Sequence, residues 1–232
     1  TKVADLLSKD FTVYAIDRNS FGKSKSKKAE TKLYGQLQAT DILEFIEYEI
    51  NKPTIVIAWS SGAIFSLQAA LADKKKNIVQ IISFEAPFLV SSNSDFNSIR
   101  QFIKIIFLQA IGKKLKAGER FIRLVFSKTD NSNSFDNLDA QMKLNFENNV
   151  EATLNEIKTR TGEDLDQKKL TELNLKVDFI SGELSPNFIK NANKRLAELF
   201  PNGRWLQIDN VGHFALYEKP EKFVEKVRQL TE

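Results

Sequence analysis

Three short runs in this chain have no polar face. Residues 54–58 (TIVIA), 78–84 (IVQIISF) and 176–181 (KVDFIS) are rich in apolar, strand-forming residues along most of their length. A strand with one wet face alternates apolar and polar residues, whereas these have to be covered on both sides. Helical patterns lie between and after them, at 62–72, 187–200 and 220–230. Strands alternating with helices in this way build a mostly parallel sheet flanked by helices, an α/β fold. Residues 11–16 (FTVYAI) read as a further buried strand, and 204–208 as the last one. Residues 2–8 read as the end of an amphipathic helix, and 41–50 as a helix stopped by Pro53.

The alternation breaks between about 94 and 173, where apolar residues recur at helical spacing, as in Phe102, Ile105, Ile106 and Leu108. Several helices inserted between two strands read as a cap over a site. The chain therefore divides into a core part at 1–90, a helical cap at 91–173 and a second core part at 174–232. Neither repeats nor low-complexity segments interrupt it.

Composition removes several function classes. The 232 residues suffice for one domain with a sizeable core. No apolar run reaches membrane-spanning length, since the best candidate, 102–111, is broken by Lys104 and Gln109. The absence of cysteine excludes disulfides, thiol catalysis and cysteine-ligated metals, and a single histidine removes most zinc and non-haem iron sites. A net charge of +4 is small for a nucleic-acid binder of this size. The lysine clusters (Lys23, Lys25, Lys27 and Lys28; Lys74 to Lys76; Lys113, Lys114 and Lys116) fall in polar stretches that read as solvated loops and helix ends. No nucleic-acid partner is expected, and the oligomeric state stays open. The chain begins at Thr1 with no signal-peptide pattern, so a cytoplasmic location is the default expectation.

The strongest local signal is Ala58-Trp59-Ser60-Ser61-Gly62, between an apolar strand and a small-residue helix. That is the setting of a nucleophile elbow, a tight turn whose flanking positions, two before and two after the nucleophile, have to be small. Ala58 and Gly62 satisfy this around Ser60, whereas Ser61 would be flanked by Trp59 and Ala63. Ser60 Oγ would then point off the carboxyl end of the strand, and the Ser61 N–H at the helix N-terminus would face a developing oxyanion. The plainer alternative is a strand–helix turn in which Ser60 caps the helix.

The one histidine, His213, follows the last strand in Asp209-Asn210-Val211-Gly212-His213-Phe214. Loops after parallel strands gather on the carboxyl edge, the edge that carries Ser60. A histidine base needs an orienting carboxylate. Glu85, directly after the 78–84 strand, is preferred, although it can also be read as an exposed strand-end carboxylate. Glu183, in Gly182-Glu183-Leu184-Ser185-Pro186, is the alternative acid.

Together these residues resemble the α/β-hydrolase superfamily, over nearly the whole chain. Asp17-Arg18-Asn19-Ser20-Phe21-Gly22-Lys23-Ser24 looks like the family's Asp-x-x-Gly-x-Gly-x-Ser loop after its fourth strand, with Ser20 in place of the first glycine. Trp59-Ser60-Ser61-Gly62 looks like its elbow, and Gly212-His213 with Pro220-Glu221 like its histidine loop and final helix. The resemblance implies a cap after the sixth strand. Many members carry an aspartate where Ser185 stands, while some branches place the acid at the end of the sixth strand, where Glu85 lies. Small-molecule hydrolases that pair a Glu-x-Pro stretch with a later Gly-x-x-Ser-Pro stretch match this chain at 85–87 and 182–186.

The family's third strand and its His-Gly loop, source of a second oxyanion N–H, are expected before Lys2, so the chain reads as N-terminally incomplete. Loss of one oxyanion donor costs about 100- to 1,000-fold in rate. The resemblance implies a serine hydrolase acting on a small ester-like substrate, with Ser60 as nucleophile, His213 as base, Glu85 as acid and Ser61 N–H at the oxyanion, and with no cofactor or metal. A C–C bond, lactone or amide hydrolase, or a non-catalytic binding protein of the same fold, are the alternatives. Phe102, Ile105, Ile106, Phe121 and Phe126 either line an apolar substrate pocket or pack the cap onto the core.

Overall fold

The structure is a computed structural model that describes residues 1–24, 34–87, 96–159 and 165–232. Four strands, β1 (Thr54–Trp59), β2 (Ile78–Phe84), β3 (Lys176–Gly182) and β4 (Gly203–Ile208), form one sheet in the order β1-β2-β3-β4, and every pairing is parallel. The register places Trp59 beside Phe84, Phe84 beside Ile180, and Gly182 beside Ile208. The carboxyl ends of all four strands therefore lie along one edge, and the segments that follow them meet there.

Side-chain alternation divides the core in two. On one face Ile81, Val177 and Phe179 pack with α2 (Tyr34–Glu44), α3 (Ser61–Ala72) and α9 (Asn187–Leu199) through Ile42, Ile64, Leu67, Leu196 and neighbours. On the other Ile82, Phe84, Ile180 and Ile208 pack with α1 (Lys2–Leu7) and α11 (Pro220–Thr231) through Leu7, Phe223, Val224 and Val227. Both faces are covered, as strands without a polar face require. Pro220 opens α11, a position where its missing N–H costs nothing.

Between β2 and β3 the chain forms α4 (Phe96–Ala110), α5 (Lys114–Val125), a 3₁₀ turn (Ser134–Asn137), α6 (Ala140–Asn148), α7 (Val150–Lys158) and α8 (Gln167–Glu172). Ile105, Ala117, Val150 and Leu154 make a small core within this insertion. A second cluster, with Ile122, Val125, Phe126 and Leu138, joins it to Ile189 on α9 and to Phe214 after β4. Of the five apolar residues expected to line a pocket or pack the cap, Ile105 and Phe126 are buried, Phe102 and Phe121 pack against buried neighbours, and Ile106 is exposed.

Two expectations are corrected. Residues 11–16 do not form a buried strand: they run outside the sheet, with Phe11, Tyr14 and Ile16 exposed. A cavity of about 910 Å³ separates them from the outer edge of β1, lined by every residue from 11 to 16 and from 54 to 59. Apolar sequence alone does not make a strand, because its N–H and C=O groups need a ladder partner. The helix expected at 41–50 takes in Tyr34–Glu44 and ends in a π-helical turn, Phe45–Ile50, closed by Asn51 in the left-handed region at φ 49°. Its buried stripe runs through Tyr34, Gln38, Ala39 and Ile42, and the polar Gln38, whose amide donates to Asn19 O at 2.8 Å, hides the pattern in the sequence.

Lys74 to Lys76 and Lys113, Lys114 and Lys116 are exposed, while Lys25, Lys27 and Lys28 lie outside the described residues. Among the described residues no helix is long and apolar enough to cross a membrane.

Candidate active site

β1 ends at Trp59, and the chain turns into α3 within one residue. Ser60 makes that turn at φ 54°, ψ −132°, a conformation that non-glycine residues rarely adopt and that costs about 1–3 kcal/mol. Its N–H donates to Phe84 O at 2.9 Å, tying the turn to the end of β2. Its hydroxyl does not cap α3 and has no hydrogen-bond partner among the described residues. Ser61, as the first residue of α3, has an N–H with no acceptor inside the helix. Gly62 is not held by tight packing: an added Cβ would come no closer than 3.9 Å to Arg18.

Glu85 follows β2 in the same way, at φ 56°, and its N–H donates to Ile180 O at 2.9 Å. Its carboxylate is fully buried. One oxygen, Oε1, accepts the Gly182 N–H at 2.7 Å and a short hydrogen bond from the Ser185 hydroxyl. The other, Oε2, meets His213 Nδ1 in a short contact. A buried carboxylate left unpaired is costly, and here two donors and the imidazole meet it. Gly182 is required by close approach, since a Cβ there would lie 2.4 Å from Val211 O.

His213 is 4% exposed and sits in the turn between β4 and α10 (Ala215–Glu218). In the tautomer with its proton on Nδ1 the ring donates to Glu85, and Nε2 keeps its lone pair. Trp59 joins the histidine turn to the elbow. Its indole N–H donates to His213 O at 3.0 Å, and its ring lies 5.5 Å from the imidazole. Phe126, from the insertion, lies 6.0 Å from the same imidazole and 4.6 Å from Phe214. Burial raises the pKa of the nearby Tyr217 phenol, so it stays protonated.

The structure thus brings Glu85 and His213 into contact and places Ser60 beside Trp59, which holds the histidine turn. Glu183 is elsewhere: it is exposed, and its carboxylate accepts the Asn210 N–H at 2.8 Å. The donors on Glu85 were not identified from the sequence, although the Gly182-x-x-Ser185-Pro186 stretch marked their position. In the Asp17–Ser24 loop, Ser20 adopts φ 73° where the resemblance places a glycine, and the Asp17 carboxylate accepts the Lys23 N–H at 2.9 Å. Among the described residues no group of three or more His, Cys, Asp or Glu side chains is placed to hold a metal ion.

Solved structures share this architecture. An alpha/beta hydrolase from Sphaerobacter thermophilus is 17% identical, with a TM-score of 0.71 over 99% of this chain and 86% of its own. A bromoperoxidase from Bacillus anthracis is 19% identical, with a TM-score of 0.73 over 93% of this chain and 80% of its own. An esterase from a Rhodococcus species is 15% identical, with a TM-score of 0.73 over 99% of this chain and 83% of its own. No curated protein matches the chain. The model of the alpha/beta hydrolase fold family matches residues 1–220. With that match over most of its length, and with a parallel sheet whose carboxyl edge carries a strained serine turn and a carboxylate–histidine pair, the chain belongs to the alpha/beta hydrolase fold family.

Proposed function

We propose that this chain is a serine hydrolase that transfers the acyl group of a small ester-like substrate to water. Ser60 Oγ attacks the carbonyl carbon while its proton passes to His213 Nε2, and the carbonyl electron pair moves onto oxygen, where the Ser61 N–H receives it. Collapse of that intermediate expels the alcohol, which takes the proton from His213. Water then attacks the acyl-Ser60 ester and gives a proton to His213. The second collapse releases the carboxylic acid and returns that proton to Ser60. Glu85 keeps the proton on Nδ1 and stabilises the imidazolium formed in each half-reaction. The helical insertion acts as the cap, and the rings of Phe126 and Trp59 beside the imidazole, with Phe214 packed on Phe126, suit an apolar acyl group.

One observation carries this reading. Glu85, fully buried and held by two donors from the β3 end, presents its remaining oxygen to the only histidine of the chain. A histidine held only for packing needs no buried carboxylate, whose desolvation is costly. A fluorophosphonate probe tests the reading, with the adduct located by peptide mass spectrometry. An adduct on Ser60, absent in Ser60→Ala and strongly slowed in His213→Gln, is expected. A folded protein that gives no adduct on Ser60 overturns it.

A further inference from the structure

The hydroxyl of Ser61, next to Ser60, joins a network with three side chains from distant parts of the chain. The Ser61 hydroxyl donates to Glu156 Oε2 at 2.7 Å and accepts from Arg18 Nη2 at 3.2 Å. Arg18 Nη1 donates to the other carboxylate oxygen, Glu156 Oε1, at 2.7 Å, and the Tyr34 hydroxyl donates to that oxygen at 3.3 Å. Arg18 lies after the extended 11–16 stretch, Tyr34 lies in α2, Ser61 opens α3, and Glu156 comes from α7 in the insertion. The Arg18 and Glu156 side chains are 20% and 12% exposed, so solvent screens this pair far less than a surface ion pair. Burial above all, and then the Glu156 carboxylate, raises the Tyr34 pKa, which keeps the phenol a donor.

The arrangement is unusual for a helix start. The first residue of α3 has its side chain fixed by a charged group from the insertion, while its N–H has no hydrogen-bond acceptor among the described residues. The orientation of that N–H follows the position of the whole first turn. A hydroxyl bonded to both members of a half-buried ion pair restrains that turn more than solvent does. We propose that Glu156 is a positioning residue: through the Ser61 hydroxyl it fixes the first turn of α3, and so the N–H that receives the oxyanion, with Arg18 offsetting its negative charge. The inference rests on the acyl-transfer reading above. It makes the insertion part of the catalytic geometry as well as a cover.

The test is a double-mutant cycle read by the rate of Ser60 phosphonylation, and by kcat and KM for p-nitrophenyl acetate. Glu156→Gln and Ser61→Ala are each expected to slow phosphonylation and lower kcat by about tenfold, with KM little changed, because a donor moved out of place loses part of its effect. In the Ser61→Ala background, Glu156→Gln is expected to add nothing, since it acts through that hydroxyl. Arg18→Gln should be slower than Glu156→Gln, because it removes a cation bonded to Glu156 and keeps the negative charge next to Ser61, and adding Glu156→Gln should restore the rate to that of Glu156→Gln alone. Effects of Glu156→Gln and Ser61→Ala that multiply, or a Glu156→Gln protein as fast as the unaltered one, overturn the inference while Ser60 labelling stands. An unaltered, folded protein that fails to label at Ser60 overturns both readings together. Should Glu156→Gln lose the fold, Tyr34→Phe removes the 3.3 Å bond to Glu156, together with the hydroxyl's bond to Gln38, and gives the same comparison at about twofold.

Discussion

Ser60 and Glu85 occupy equivalent places and are treated in opposite ways. Each follows the last residue of a parallel strand, each holds a left-handed backbone (φ 54° and 56°), and each N–H donates at 2.9 Å to a carbonyl at the end of the next strand. The same backbone device turns both side chains off the carboxyl edge of the sheet. Glu85 is then buried and bonded by Gly182, Ser185 and His213, whereas the Ser60 hydroxyl has no partner among the described residues. The proposed mechanism asks an orienting carboxylate to hold still and a nucleophile to stay available to a substrate. The positive φ is common to both positions, and only the surroundings divide the proposed roles.

The largest effect that sharpens this contrast is expected at Glu85. In Glu85→Gln the side-chain amide cannot accept from both the β3 donors and His213 Nδ1–H, so phosphonylation of Ser60 should fall by about 10³- to 10⁴-fold. Equal rates in both proteins would break the comparison. Ser185→Ala comes next. It removes one donor from Oε1 while Gly182 N–H remains, so urea unfolding should show a loss of about 1 kcal/mol, with phosphonylation slowed by about tenfold.

Ser60→Gly has a smaller effect of the opposite sign. It removes a strained Cβ and no hydrogen bond, so the protein should gain about 0.5–1 kcal/mol, read as a melting temperature higher by about 1–4 °C. Glu85→Gly relieves the same backbone strain but discards the carboxylate, and should melt lower than the unaltered protein. A destabilised Ser60→Gly would mean that the elbow stores no strain. Glu183→Gln should change phosphonylation by less than about twofold, because its exposed carboxylate only accepts the Asn210 N–H.

Much of the architecture was legible because local pattern and environment agree. The run IVQIISF is β2 residue for residue, and α3, β3, α9, β4 and α11 fall within a residue or two of the patterns that marked them. The 11–16 stretch has the same composition of β-branched and aromatic residues and is not a strand. Sequence measures a preference for extended backbone, but a strand also needs neighbours, and a cavity lies between this stretch and β1. Gln38 misled in the other direction, being a polar residue on a buried face whose partner, Asn19 O, is invisible to a periodicity count.

At the site, the sequence by itself determined the order and edge of the groups. Ser60, Glu85 and His213 each follow an apolar strand, and parallel strands deliver such residues to one edge. Only the tertiary structure decided that Glu85 rather than Glu183 meets His213, that Ser185 donates to Glu85, and that Arg18 and Glu156 converge on Ser61, with Tyr34 bonded to Glu156. The physical reason is range. Turn chemistry and hydrophobic period are written into neighbouring residues. Ser185 meets Glu85 across 100 positions and Arg18 meets Glu156 across 138, and contacts of that kind exist only once the sheet register and the helix packing have brought the partners together.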